Sequence, residues 1–340
     1  MDKLVYPLNG TYRFHLGEEP DAWQAWYPDA DPSWQDVTLP HDWSVSLPFS
    51  REYSSGTGYL AGGIGWYRIA IPPKEEWHGK RISICFDGIY KNSRVWCNSY
   101  YLGERPNGYI SFSYDITDQF SFDHDNMLCV RVDRTELSDS RWFTGSGIIR
   151  KVSLIIEEAV HPTFGGIFFT TPAVSEKEAS LEISNELVNT ASKELAVTVT
   201  NTLLDAEKSA VCSLSASALI PAGEKALLVT SGQLASPHLW SPDTPYLYTL
   251  STQISFQSSF LGQTPQTFTS VADTQRVGIR SILFDADKGF FLNGVPALFK
   301  GVCLHHDAGV LGAAVYKDVW QRRLSKLKSM GCNAIRMSHN

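Results

Sequence analysis

The hydrophobic period of this 340-residue chain changes once, and late. Up to about residue 275, apolar side chains recur at every second position in short runs. "RISICFDG" sets Ile82, Ile84 and Phe86 on one face, "MLCVRVDR" sets Leu128, Val130 and Val132, and "KVSLIIEE" sets Val152, Leu154 and Ile156. A period of two belongs to strands with one buried face, and the Gly, Pro, Asn and Asp residues between the runs supply the turns. Then "YKDVWQRRLSKLKSMG" spaces Tyr316, Trp320, Leu324 and Leu327 by four, four and three residues, which is a helical stripe. Asp318 near its start and Lys326 and Lys328 near its end complement the helix dipole, and Gly331 is a natural stop. "ALFKGVCL" before it and "NAIRMS" after it read as strands, which predicts a strand–helix–strand unit with parallel strands.

The expected fold is therefore mainly β. Residues 1–160 read as a jelly-roll β-sandwich and 161–276 as an immunoglobulin-like β-sandwich, with Leu181, Ile183 and Leu187, then Leu195, Val197 and Val199, in alternation. The second unit lacks the paired cysteines of antibody domains. "HPTFGGIFFTTP" (161–172) reads as a hinge between the two, and residues 277–340 open an α/β domain. Eight of the ten tryptophans fall before residue 143. Most are expected in a thick aromatic core, with an exposed sugar-stacking surface as the other reading.

Composition excludes several classes. The formal charge is −7 and the charges are interspersed without a basic run, so neither nucleic acid nor an anionic membrane is an expected partner. No stretch of about 20 apolar residues exists to span a membrane. The first residues, "MDKLVYPLNGTYRF", lack the apolar stretch and cleavage site of a secretory signal. The six cysteines are scattered without a C-x-x-C pair, so they read as reduced, mostly buried thiols of a cytoplasmic protein, with no zinc site.

Six segments, in order, carry a resemblance. "LPHDW" (39–43), "FDGIYKNSRVWCNSYYLG" (86–103), "SRWFTGSGIIR" (140–150), "LWSPDTPYLY" (239–248), "FFLNGVPALFKGVCLHHD" (290–307) and "NAIRMSHN" (333–340) are similar to segments of glycoside hydrolase family 2, the β-galactosidase and β-glucuronidase group. The resemblance covers the whole chain. It implies a jelly-roll sugar-binding domain, an immunoglobulin-like domain and then a (β/α)₈ TIM barrel, here truncated after its second strand. One departure is visible: the family's hairpin after "VW" commonly turns on Asn-Gly, whereas here it is Asn98-Ser99, where a type I′ turn wants positive φ at both positions. This hairpin is expected to be longer or strained.

The resemblance also implies an activity and its absence from this chain. Family members are retaining glycosidases, which need two carboxyl groups about 5–5.5 Å apart. Both family glutamates lie on later barrel strands, and here no Asp or Glu follows Asp318, so no catalytic residue is assigned. The implied function is the N-terminal fragment of a hydrolase of terminal β-linked sugars, β-galactosides before β-glucuronides; the alternative is a non-catalytic carbohydrate-binding protein of two β-sandwiches. The residues implied to meet the sugar are Asp307 and His339, with Arg336 as an orienter of the catalytic carboxylates, and Arg141 and Trp142 on the jelly-roll loop 138–147, with Asp139 close by. For Asp307 and His339 the competing role is to hold neighbouring groups in place. Gly145 and Gly147 are expected to serve backbone geometry. No metal or cofactor is assigned to this chain; the resemblance allows Mg²⁺ or Na⁺, and a homo-oligomer, for the full-length enzyme.

Overall fold

The computed structural model describes residues 2–136, 140–258 and 266–338. Two compact units emerge. One takes residues 5–156 together with the chain from Lys300 onward, and the other takes the residues up to Leu4 with 157–299.

The first unit is built on two antiparallel sheets. Six strands, Gln35–Thr38, Thr11–Leu16, Gly63–Ile71, Asn126–Arg134, Ser93–Cys97 and Tyr100–Arg105, lie side by side in that order, and the second sheet runs Leu4–Pro7, Val152–Glu157, Arg81–Phe86, Phe112–Asp115. The alternation seen in the sequence places Ile82, Ile84, Phe86, Leu128, Val130, Val132, Val152, Leu154 and Ile156 in the core, none more than 1 % exposed. The aromatic core is also present: Trp34, Trp43, Trp66 and Trp77 are buried, while Trp26 is 70 % exposed. The Asn98–Ser99 hairpin is not lengthened. It joins Cys97 to Tyr100 by two residues with φ of 49° and 70°, so Ser99 holds a left-handed conformation that costs a residue with a Cβ.

Arg68, on the strand Gly63–Ile71, points away from this core and is 1 % exposed. It reaches the loop that crosses the six-stranded sheet. Its Nε donates to Asp29 Oδ2 at 3.0 Å, Nη1 to the carbonyls of Ala22 and Gln24, and Nη2 to those of Ala25 and Tyr27, both at 3.1 Å. A planar fork of five donors is the side chain that can hold a loop by its backbone in this way.

After Lys300, strands Gly301–Leu304 and Ala334–Met337 pair in parallel, Cys303 opposite Arg336 and Leu304 opposite Met337, with the helix Lys317–Ser329 between them. Gly331 follows the helix with φ +87°. The apolar stripe is only partly covered: Trp320 and Leu327 are half-buried, no helix residue is fully buried, and Tyr316 and Leu324 are exposed.

In the second unit a three-stranded sheet (Val160–Thr170, Glu178–Asn189, Lys225–Ala235) faces a four-stranded one (Ala210–Ile220, Leu195–Leu204, Tyr248–Ser258, Gln266–Val277). The segment read as a hinge is a strand: Val160–Thr170 pairs with Glu178–Asn189 on both sides of a bulge between Pro162 and Ile167, which absorbs its Pro and Gly residues. A small sheet of Ile282–Asp285, Gly289–Leu292 and Val295–Pro296 also belongs to this unit. Asn201 ties the two large sheets at their centre. Its Nδ2 donates to Thr230 Oγ1 at 3.0 Å, its Oδ1 accepts from Thr252 Oγ1 at 2.7 Å, and all three residues are buried. Asn201→Ala strands the Thr252 hydroxyl, leaves that of Thr230 only its long bond to the Ile183 carbonyl, and opens a void, so it is expected to lower stability by about 2–3 kcal/mol in urea unfolding. A loss below about 0.5 kcal/mol would mean water replaces the amide.

None of the six cysteines forms a disulfide, but they are less buried than expected: Cys85, Cys97 and Cys129 are buried, Cys212 and Cys332 partly so, and Cys303 is exposed on its uncovered strand. No helix is long and apolar enough to cross a membrane among the described residues.

Candidate functional site

The parallel strand pair presents its C-terminal ends, His305, His306 and Asp307 after one strand and Ser338 after the other, and loops of the jelly roll close over them. His306 is buried. Its Nε2 lies 3.1 Å from the carbonyl of Thr144, which can only accept, so the proton sits on Nε2. Burial pushes its pKa below the ordinary histidine value, which leaves a neutral ring. Tyr109 meets His306 edge-on with ring centres 5.2 Å apart, and its hydroxyl accepts the indole N–H of Trp142 at 3.0 Å. Trp142 in turn lies 5.7 Å from the ring of His305. The two ends of the unit thus interlock through aromatic rings and a neutral histidine.

A second tie comes from the "LPHDW" segment. Asp42 is buried, and its two carboxylate oxygens divide the work. Oδ1 accepts the backbone N–H groups of Ser44 at 3.1 Å and Ser146 at 3.0 Å; Oδ2 accepts that of Ala313 at 2.9 Å. One side chain so joins the loops around 44, 146 and 313. Burial raises the Asp42 pKa to about 6 despite the three N–H donors, which pull the other way. Gly145 and Gly312, at φ +75° and +56°, flank the carboxylate, and a Cβ on either would collide with Oδ2. Gly145 therefore does more than set backbone geometry: it leaves the space that Asp42 fills.

The sequence-expected residues fall as follows. Trp142 is half-buried in the ring cluster, and Arg141 beside it is exposed. Asp307 is half-buried, and its carbonyl accepts from Arg323 Nη1 on the helix at 2.7 Å. Arg336 is exposed, with Nη1 3.8 Å from Cys303 Sγ on the neighbouring strand. Asp139 and His339 lie outside the described residues. Side chains alternate along a strand, so Cys303 and Arg336 occupy one face of the pair and Leu304 and Met337 the other. The latter face, with His306, Trp320 and Ile149, lines an apolar cavity of about 620 Å³. The structure thus brings Trp142 against the histidines that precede Asp307. It sets Arg336 on the face opposite to that cavity. Asp42, Tyr109, Thr144 and Arg323 were assigned no role from the sequence. Asp42 lay in a quoted motif, but a carboxylate that bonds only to backbone leaves no pattern of side-chain types to read.

Chemically, the cluster offers an aromatic face, neutral imidazole and a guanidinium. The carboxylates at it are Asp307 and the backbone-tied Asp42. Such groups can stack on and hydrogen-bond a polar, ring-shaped ligand.

Comparison with known proteins gives this arrangement a family. Residues 5–157 match the model described as glycosyl hydrolases family 2, sugar binding domain, and residues 165–280 match that of glycosyl hydrolases family 2. The chain is 43% identical over 335 residues to Beta-galactosidase BoGH2A of Bacteroides ovatus, an alignment covering 98% of this chain and 38% of that protein. It is 31% identical over 317 residues to a Beta-glucuronidase of Bacteroides fragilis, covering 89% of this chain and 43% of that one. Among solved structures, a beta-glycosidase from Bacteroides vulgatus superimposes with a TM-score of 0.85 at 34% identity, covering 99% of this chain and 42% of that one. Both matched models are of the glycoside hydrolase class. The chain belongs to glycosyl hydrolases family 2. It spans about two-fifths of the length of these relatives.

Proposed function

We propose that this chain is the N-terminal part of a retaining β-galactosidase, in which the strand–helix–strand unit opens a (β/α)₈ barrel and the two glutamates lie on later strands. The supporting observation is the 43% identity across 98% of the chain to a protein named beta-galactosidase. On this reading the three-part division at 160 and 276 stands, Trp142 supplies a stacking face, and Arg141, Asp139, Asp307 and His339 hydrogen-bond the sugar. Arg336 sits at a strand end, where active sites of such barrels lie, and orients a carboxylate. Cysteines without disulfides support a cytoplasmic enzyme.

Two measurements test this. The full-length protein is expected to hydrolyse an aryl β-galactoside with a kcat/KM well above that for the matching β-glucuronide, and a reversed order would move it to the glucuronidases. The 340-residue chain alone is expected to hydrolyse neither. Robust turnover by the purified chain would show that its own carboxylates suffice and would refute the assignment of both glutamates to later strands.

A further inference from the structure

The exposed Trp26 has no place in the site above. It lies on the loop that Arg68 holds from beneath by four backbone carbonyls and Asp29. The same loop is tied at a second point: the Ala25 N–H donates to Ser99 Oγ at 2.7 Å. Ser99 is the left-handed residue of the hairpin whose next residue is Tyr100, 61 % exposed. Glycine would form that turn with less strain but has no hydroxyl, so the strained serine is accounted for by the bond it makes. The other turn residue, Asn98, is locked as well, donating to Gln119 O and Asn126 Oδ1 and accepting from Met127 N. Two exposed aromatic rings are therefore presented by segments that are each fixed and fixed to one another.

Between them lies an open groove of about 600 Å³, also lined by Asp118, Gln119, His124 and Asp125. A lone surface aromatic needs no explanation. Two that share a groove with carboxylate, carboxamide and imidazole groups match one ligand chemistry. The C–H faces of a pyranose stack on aromatic rings, and its hydroxyls donate to carboxylates and exchange hydrogen bonds with amides. Among the described residues no Lys or Arg lines the groove, and two carboxylates do. Uronates, phosphates and sulfated sugars would meet like charge with nothing to offset it.

We propose that this groove is an accessory binding site for a neutral β-linked oligosaccharide, separate from the cluster of Trp142 and the histidines. It would hold a polymeric or branched substrate by a part remote from the bond cleaved. Fixing both backbone segments before the sugar arrives lowers the ordering cost that weak surface sites otherwise carry. The proposal concerns the jelly roll alone; the β linkage of its ligand rests on the reading of the full-length protein as a β-glycosidase, not on which sugar it cleaves.

The test is native affinity electrophoresis of the full-length protein through gels carrying soluble β-1,4-galactan, mixed-linkage β-glucan or polygalacturonate. Retardation by one of the neutral glycans and none by the polyuronate is expected. Trp26→Ala should weaken it by about tenfold or more. Tyr100→Ala and Ser99→Gly should also weaken it, the latter with a turn that forms more readily than the native one. Hydrolysis of a small aryl glycoside should stay at the native rate in all three. The proposal is overturned if neither neutral glycan retards the protein, if Trp26→Ala migrates as the native protein does, or if the polyuronate alone retards it.

Discussion

Arg68→Met is expected to lower the stability of the jelly-roll unit by about 3 kcal/mol. The guanidinium is almost wholly out of water, and its removal takes a donor from four loop carbonyls and from Asp29; Ala22 keeps the Cys129 thiol and Gln24 the Tyr27 N–H, while the carbonyls of Ala25 and Tyr27 lose the bond that Arg68 makes. Asp29 keeps some solvent contact, which holds the figure to the low end of the range for broken buried pairs. Lysine should not rescue it, because a point charge with three donors cannot reach five acceptors spread along the loop from Ala22 to Asp29. Urea unfolding measures the loss. Hydrogen exchange localises it: amides of residues 22–29 should lose protection before those of the sheet. A loss under about 1 kcal/mol with unchanged exchange would mean the loop is held by its aromatic packing on Trp66 and Trp34 rather than by Arg68.

Asp42 carries the second large effect, and it appears as a pH dependence. Its folded pKa is about 6, above the usual aspartate value near 4. A carboxyl whose pKa rises on folding contributes stability that is fully present below the unfolded value and is lost as pH climbs through the folded one. Relative to Asp42→Asn, which does not titrate, the native protein should therefore lose about 2 kcal/mol between pH 4 and pH 7. Asparagine keeps an oxygen for Ser44 and Ser146 but turns an N–H₂ toward the N–H of Ala313. The amide of Ala313 should then exchange faster, at every pH. Parallel stability curves for the two proteins would show that the three backbone donors, not burial, set the state of this carboxylate.

Much of the scaffold was legible in the sequence because burial on one face of a strand leaves a period of two. Leu128, Val130 and Val132, or Leu195, Val197 and Val199, could be placed in cores from spacing alone, and they are there. The helix at 317–329 was legible for the same reason, as a change of period. What could not be read were polar groups that do structural work alone. Arg68 sits in a run, "WYRIAI", that alternation cannot parse because both faces of its strand are covered. Asp42 and Ala313 meet across 271 positions, and the partner is a backbone amide, which every residue but proline carries. The candidate site was legible only in part for a different reason. Trp142, Asp307 and Arg336 came from resemblance, which transfers residue types. The neutral tautomer of His306 and the Tyr109–Trp142 bond depend on where loops far apart in sequence come to rest.

The central claim, a retaining β-galactosidase whose opening portion this chain forms, is tested most directly by the anomer released first. Proton NMR of the full-length enzyme acting on an aryl β-galactoside should show β-galactose forming before mutarotation generates the α form. Initial release of α-galactose would mean inversion, with the two carboxyl groups set further apart, and would contradict the account. So would the absence of any turnover of the β-galactoside.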